Sequence, residues 1–162
     1  MAIPSQQTEQ DEKIGQLLQR AKHKILIMSG KGGVGKSTVA ANMAVQLSAQ
    51  GYQVGLLDVD MHGPSIAGIF GLTGLRMNAI NDRLQPFLVR DNLKVVSIQG
   101  LLNSPDDAVI WRGLVKIGVI RQLLADVDWG ELDFLIIDSP PGTGDEPLTV
   151  AQTIPDCRAV VV

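Results

Sequence analysis

The sequence predicts an α/β domain with a mostly parallel sheet and helices on both of its faces. Residues 24–29 are an apolar, strand-like segment, residues 37–50 have the apolar spacing of a helix, and residues 53–58 are a second short apolar strand. A strand, a helix and a strand in succession form a βαβ unit, whose strands lie parallel because the crossover is right-handed. We therefore expect a doubly covered sheet around these two strands.

The chain is expected to have two parts, an N-terminal extension over residues 1–22 and a nucleotide-binding domain over residues 23–162. Within the extension, residues 2–10 are polar and predict a disordered lead-in. Residues 11–22 predict a short helix with Ile14, Leu17 and Leu18 on one face.

Further elements follow along the nucleotide-binding domain. Gly51 stands where a helix C-cap belongs. Strands are predicted at 84–89 and 93–98, as a hairpin or excursion near the sheet edge, a helix at 114–124, and buried strands at 134–138 and 159–162. A parallel strand needs a helix on each face, and no residues follow the last strand to supply one, so we expect an incomplete, N-terminal portion of a larger domain.

Composition excludes several functional classes. The net charge of −3 gives no broad basic field for nucleic acid, and no apolar run approaches the roughly 20 residues that span a bilayer. Cys157 is the one cysteine, which excludes a disulfide framework, and it makes no metal centre with His23 and His62. His23 is expected at the surface. We expect no nucleic-acid partner and no membrane partner. We expect a cytoplasmic location.

A phosphate-binding loop follows the first strand. The frame G-x-x-x-x-G-K-[ST] is met by the segment whose residues we expect to bind nucleotide: Gly30, Lys31, Gly32, Gly33, Val34, Gly35, Lys36, Ser37 and Thr38. Glycines let successive N–H groups converge on a phosphate at a helix N-terminus, Lys36 adds charge at the β and γ oxygens, and the Ser37 hydroxyl can ligate Mg²⁺. A glycine-rich turn that matches by chance is the alternative. The motif and its context predict a P-loop NTPase.

Aspartates end two of the other predicted strands. Asp138 is placed to hold Mg²⁺ through water, with the turn at 140–144 near the γ-phosphate, whereas Asp58 and Asp60 can orient an attacking water or its magnesium. Each aspartate could instead be a turn or cap residue. Because ligands bind at the carboxyl ends of parallel strands, the convergence of three strand ends favours a site containing Asp60 and Asp138.

Lys31, directly after the first glycine of GKGGVGKST, resembles the signature lysine of the deviant Walker A ATPases, the group of the nitrogenase iron protein, MinD and ParA. LLDVDMHGPS at 56–65, WRG at 111–113, DSPPGTGDE at 138–146 and the segment 127–138 resemble the Mrp (ApbC) branch, whose members carry iron-sulfur clusters. This resemblance covers residues 24–162.

The resemblance implies a homodimer that binds ATP and Mg²⁺, hydrolyses ATP slowly and passes clusters to iron-sulfur client proteins. It implies catalytic roles for Lys31, Lys36 and Asp60, with Lys31 reaching the nucleotide of the facing subunit, and Mg²⁺ held by Ser37 and, through water, by Asp138. Asp145 matches the second switch. Trp111 and Arg112 match a family motif whose usual proline is replaced by Leu114, so we expect packing or dimer surface there.

The cluster ligands are expected outside these residues. Members of the branch use a C-terminal Cys-x-x-Cys pair, and this sequence contains none. Cys157 is expected to be a buried, packed residue. Two other classes stay open: a positioning ATPase of the MinD or ParA kind, and a small-molecule ligase or phosphotransferase on the same loop.

Overall fold

A six-stranded sheet with helices on both faces forms the centre of the computed structural model, which describes residues 6–60, 63, 65–101, 113–142 and 145–162. Trp111 and Arg112 of the predicted WRG segment lie outside the described residues, as do His62 and the side chain of Asp145. The strands are β1 Ala21–Met28, β2 Val54–Asp58, β3 Ala79–Ile80, β4 Arg83–Leu84, β5 Phe87–Arg90, β6 Leu93–Ser97, β7 Leu132–Asp138 and β8 Arg158–Val161.

Five α-helices and one 3-10 turn accompany these strands in the described part of the chain, with the first helix preceding β1. They are α1 Gln6–Arg20, α2 Lys36–Ala49, α3 Ser65–Ile69, α4 Gly113–Asp126 and α5 Asp145–Thr153, with the 3-10 turn at Ile98–Leu101. Gly51 follows α2 with a φ of 91°, the left-handed conformation that ends helices and that glycine adopts without strain. The predicted helix end is therefore confirmed.

The order of strands in the main sheet is β5-β6-β2-β7-β1-β8. All neighbours are parallel except β5 and β6, which form an antiparallel hairpin at one edge. The predicted fold class and the edge hairpin are confirmed. β1 and β2 are parallel as expected, but β7 lies between them, so that β7 ends at the centre of the sheet.

Two apolar clusters cover the two faces of the sheet. On one face α1, α4 and α5 pack over strand residues such as Leu57 and Leu135. On the other, Ala40, Ala41 and Ala44 bring α2 close to Ile136 and its neighbours. Side chains buried on both faces are what a parallel sheet requires, since no face is left to water. The site-forming strand ends are thereby held in a rigid core.

The N-terminal extension differs from its prediction. The expected disorder of residues 2–10 is wrong for residues 6–10, because α1 already begins at Gln6. The Arg121 guanidinium of α4 bonds the side chains of Gln10 and Asp11 and fixes this polar turn, a contact that local sequence does not reveal. The predicted helix through residue 22 is also wrong: α1 ends at Arg20 and β1 begins at Ala21.

His23 lies exposed on β1, 5.0 Å from the Phe134 ring between centroids, which confirms its expected surface position. Within the described part of the chain, no helix combines the length and apolar character needed to cross a bilayer.

Candidate functional site

The loop between β1 and α2 has the backbone of a phosphate cradle. Gly33 and Gly35 have φ values of 77° and 96°, a region that residues with a Cβ rarely adopt. Gly35 is the N-cap of α2 and provides no side-chain hydrogen bond to the first turn. The first amides of a helix have no partner within the helix, so they remain suited to an anion.

A cleft of about 460 Å³ opens over this loop. Its walls contain residues of the loop, of the segment after β2 and of the turn after β7: Ser29, Gly32, Gly33, Gly35, Lys36, Ser37, Thr38, Asp60, Gly63, Ser65 and Pro141. The structure thus brings the predicted Lys36, Ser37 and Asp60 into one cavity. Gly30 and Val34, which belong to the motif, do not line it.

Lys36 is buried between two carboxylates. Its Nζ lies 2.5 Å from Asp138 Oδ1 and 3.7 Å from Asp60 Oδ2. The sequence predicts this ammonium at phosphate oxygens, and the structure adds that Asp138 and Asp60 compete for it. A buried lysine between two carboxylates is neutralised by them, so a phosphate that draws it away leaves both carboxylates available to other ligands.

Asp138 is fully buried at the end of β7. Burial raises the pKa of its carboxyl, and the Lys36 ammonium and the Ser37 hydroxyl oppose that rise. Its Oδ2 has no hydrogen-bond partner among the described residues. A buried polar oxygen without a hydrogen-bond partner lowers the stability of the fold. A carboxylate oxygen beside a serine hydroxyl provides the oxygen ligands that Mg²⁺ and its water molecules prefer. These residues therefore fit the predicted magnesium.

The protein alone supplies few ligands for that ion. No cluster of three or more His, Cys, Asp or Glu suited to a metal occurs in the described ranges. Ser37 and Asp138 fit a site that is completed by phosphate oxygens and water, as Mg²⁺ sites commonly are.

Asp60 lies just beyond β2 and is only 6% exposed. Its Oδ1 accepts a hydrogen bond from the Gly63 N–H at 3.2 Å, while Oδ2 faces Lys36. This carboxylate is thus at the cleft wall with its orientation constrained from both sides, a geometry suited to orienting a water molecule.

Two further polar residues of this region, Ser97 and Ser29, were not predicted from the sequence. Ser97, at the end of β6, donates its hydroxyl to Asp58 Oδ2 at 3.0 Å, and parallel register places the two residues side by side. Burial, followed by the negative charge of Asp138, raises the pKa of Asp58 to about 7. Ser29 lines the cleft, and its buried hydroxyl has no partner among the described residues. The sequence feature that could have predicted Ser97 and Ser29 is the position of each polar residue at the end of an apolar strand.

Lys31 and Cys157 do not line this cleft either. Lys31 is exposed and makes no ion pair with any other described residue. Cys157 is half-buried, packs against the cluster formed with α1, α4 and α5, and has a pKa raised first by burial. The turn after β7 does reach the cleft through Pro141, and the Gly142 N–H donates to the Ser29 carbonyl at 2.8 Å.

Curated relatives resemble nearly all of this chain. It is 49% identical to the iron-sulfur cluster carrier protein of Methanocaldococcus jannaschii, covering 95% of the chain and 53% of the relative. It is 52% identical to a cytosolic Fe-S cluster assembly factor NUBP1 homolog of Brugia malayi, covering 83% of the chain and 44% of the relative. The chain thus spans about half the length of the curated relatives it matches.

Solved structures agree with the fold. A nucleotide-binding protein of Archaeoglobus fulgidus in complex with ADP is 47% identical, with a TM-score of 0.80 over 94% of this chain and 58% of that one. MinD of Pyrococcus horikoshii, complexed with Mg-ADP, is 24% identical, with a TM-score of 0.62 over 86% of this chain and 57% of the other, and shows the fold alone.

The model of the ParA family described as NUBPL iron-transfer P-loop NTPase matches residues 20–162, which include every residue of the cleft. Together with the relatives, this match shows that the chain belongs to the ParA family of iron-transfer P-loop NTPases.

Proposed function

We propose that the protein is an ATP-binding, slowly hydrolysing iron-sulfur cluster carrier that acts as a homodimer. The observation that carries the nucleotide part is the cleft at the glycine-rich phosphate loop, which Lys36, Ser37 and Asp60 line and where Lys36 pairs with the buried Asp138. The cargo is inferred from relatives named as cluster carriers or assembly factors. Those names favour a carrier over the positioning ATPase alternative.

Nucleotide phosphates enter the cradle of loop amides, with Lys36 leaving its two carboxylates for the β and γ oxygens. Ser37 and, through water, Asp138 would hold magnesium, which would neutralise charge on the phosphate oxygens. Asp60 then orients the attacking water. Gly32, Gly33 and Gly35 keep the loop amides close to the phosphates, because none of them places a Cβ in the cradle.

Lys31 acts from the other subunit in this proposal. It is exposed at the loop and makes no ion pair with the described residues, so its charge is available to a partner. A cation added only on dimer closure stabilises the charge that develops on the γ-phosphate, as an arginine finger does. Hydrolysis is then slow in the monomer and faster in the closed dimer.

The cluster is proposed to bind through residues other than these 162. A bridging cluster takes four thiolate ligands, and two copies of this chain contribute only two cysteines. The raised pKa of Cys157 disfavours the thiolate that iron requires. Client proteins that accept the cluster, and a cytoplasmic location like that named for the Brugia relative, complete the proposal.

Anaerobic reconstitution followed by transfer to an apo-ferredoxin tests the function. We expect the full-length protein, with the cluster-binding residues proposed above, to take up iron and sulfide, and the acceptor to gain its visible absorption in a reaction that depends on ATP. Cys157→Ser should bind and transfer the same amount of iron, because its thiol is packed. Failure of the unaltered protein to bind iron would exclude the carrier function. Loss of iron binding in Cys157→Ser would instead show that Cys157 is a ligand of the cluster.

A further inference from the structure

Asp58 is a buried carboxylate that contacts the backbone of the cleft without lining the cleft itself. It is the last residue of β2 and is 0% exposed. Its Oδ1 accepts a hydrogen bond from the Asp60 N–H at 3.1 Å, and its Oδ2 accepts one from the Ser97 hydroxyl at 3.0 Å. Both oxygens are therefore used within the protein.

The Ser97 hydroxyl is itself oriented. Its oxygen accepts a hydrogen bond from the Gln99 N–H at 3.3 Å in the 3-10 turn, and its single proton is directed to Asp58. Ser97 and Asp58 are direct neighbours in the parallel pairing of β6 with β2. The carboxylate is thus fixed by an adjacent strand rather than by its own loop.

Asp60 depends on this anchor because it lies two residues beyond the end of β2, where the backbone pairing with β7 stops. The Val59 N–H still donates to the Asp138 carbonyl at 3.1 Å, as a continuation of the pairing between β2 and β7. The next amide, that of Asp60, binds the Asp58 side chain instead. Its own carboxylate lies 3.7 Å from Lys36, so a small movement of this backbone changes the catalytic geometry.

We propose that Asp58, oriented by the Ser97 hydroxyl, is a positioning residue that fixes Asp60 against Lys36 for ATP hydrolysis. This role rests on the proposed function of Asp60. Neither Asp58 nor Ser97 lines the cleft, and Asp58 contacts it through the Asp60 amide, so both residues act through Asp60 and leave nucleotide binding to the phosphate loop.

Amide hydrogen exchange at Asp60, followed by NMR, tests the anchor independently of activity. Ser97→Ala should increase the exchange rate about tenfold, and Ser97→Thr, which keeps the hydroxyl, should not. Ser48→Ala is the matched control, since Ser48 is also a buried serine whose hydroxyl bonds one side chain, Asn92 Oδ1 at 2.8 Å, at the far end of α2. Unchanged exchange in Ser97→Ala would overturn the proposal.

A second pair of variants serves if Ser97→Ala unfolds. Asp58→Asn keeps the Oδ1 acceptor and should preserve the slow exchange at Asp60, whereas Asp58→Ala should lose it. Equal loss in both variants would overturn the role of the acceptor.

A double-mutant cycle of ATP turnover tests whether Ser97 acts through Asp60. Ser97→Ala should lower kcat about tenfold and change the Kd for ATP less than twofold, as expected for a group used in the transition state. In an Asp60→Asn background it should have no further effect, and multiplicative losses would contradict the proposal. If the unaltered protein does not hydrolyse ATP, the proposed function fails, while the exchange rates still decide the positioning role.

Discussion

The buried carboxylate of Asp58 should make the stability of the protein depend on pH near neutrality. Its pKa is raised from 3.8 to about 7 in the folded protein, first by burial and then by Asp138. Between these values the folded state binds more protons than the unfolded state. Stability is therefore greatest below the unfolded pKa and is lost as the pH rises through about 7.

The size of the effect follows from the shift. One pKa unit corresponds to about 1.4 kcal/mol, and integration between about pH 5 and pH 8 gives roughly 2 to 3 kcal/mol from this group. Asp58→Asn removes the titration but keeps an acceptor for the Asp60 N–H. Asp138, whose pKa is also raised, titrates in both proteins, so the difference between them reports Asp58 together with its coupling to Asp138.

Urea unfolding at several pH values, without nucleotide and with a chelator present, measures this difference. We expect the free energy of unfolding of the unaltered protein to fall between pH 5 and pH 8 by roughly 2 to 3 kcal/mol more than that of Asp58→Asn. Asp91→Asn, which removes an exposed carboxylate at the hairpin between β5 and β6, is the control and should follow the unaltered protein. Parallel pH curves for Asp58→Asn and the unaltered protein would refute the reasoning.

Three further predictions concern nucleotide binding and hydrolysis. Lys36→Ala should weaken ATP binding by at least about tenfold, since it removes the charge facing the phosphates; unchanged affinity by calorimetry would contradict the assignment. Asp60→Asn should lower single-turnover hydrolysis by about a hundredfold with little change in ATP affinity, and undiminished turnover would reduce Asp60 to a turn residue. Lys31→Ala should bind nucleotide normally but lose ATP-dependent dimerisation and hydrolysis; sedimentation showing an equally dimeric, equally active variant would remove its action across the interface.

Local patterns predicted most of the fold because each central element has a distinct signal. The strands ending at Asp58 and Asp138 are short apolar runs with a polar stop, and the loop before α2 has an uncommon motif. The start of α1 was missed because Arg121, more than a hundred residues away, fixes its first turns. Its position depends on tertiary contact rather than on helix propensity.

The candidate site was predicted less completely than the fold. Lys36 could be predicted from its motif, and Asp60 and Asp138 from their positions at strand ends. The ion pairs that join them could not be predicted, because they depend on the order of the strands in the sheet. Ser97 carries no motif at all. Its part in the site comes from the register of β6 beside β2, which only the assembled sheet provides.

The central position of β7 has a consequence for how the chain folds. β1 and β2 are far apart from β7 in sequence, and Lys36 and Asp138 are separated by 102 residues. β1 and β2 each lack their shared neighbour until β7 is inserted between them. Folding must therefore close long loops before the sheet gains stability, and this requirement slows folding. The carboxylate that pairs with Lys36 arrives with that same strand. During synthesis, a competent nucleotide site therefore forms only after residue 138 has left the ribosome, and ATP binding would report that β7 has been inserted.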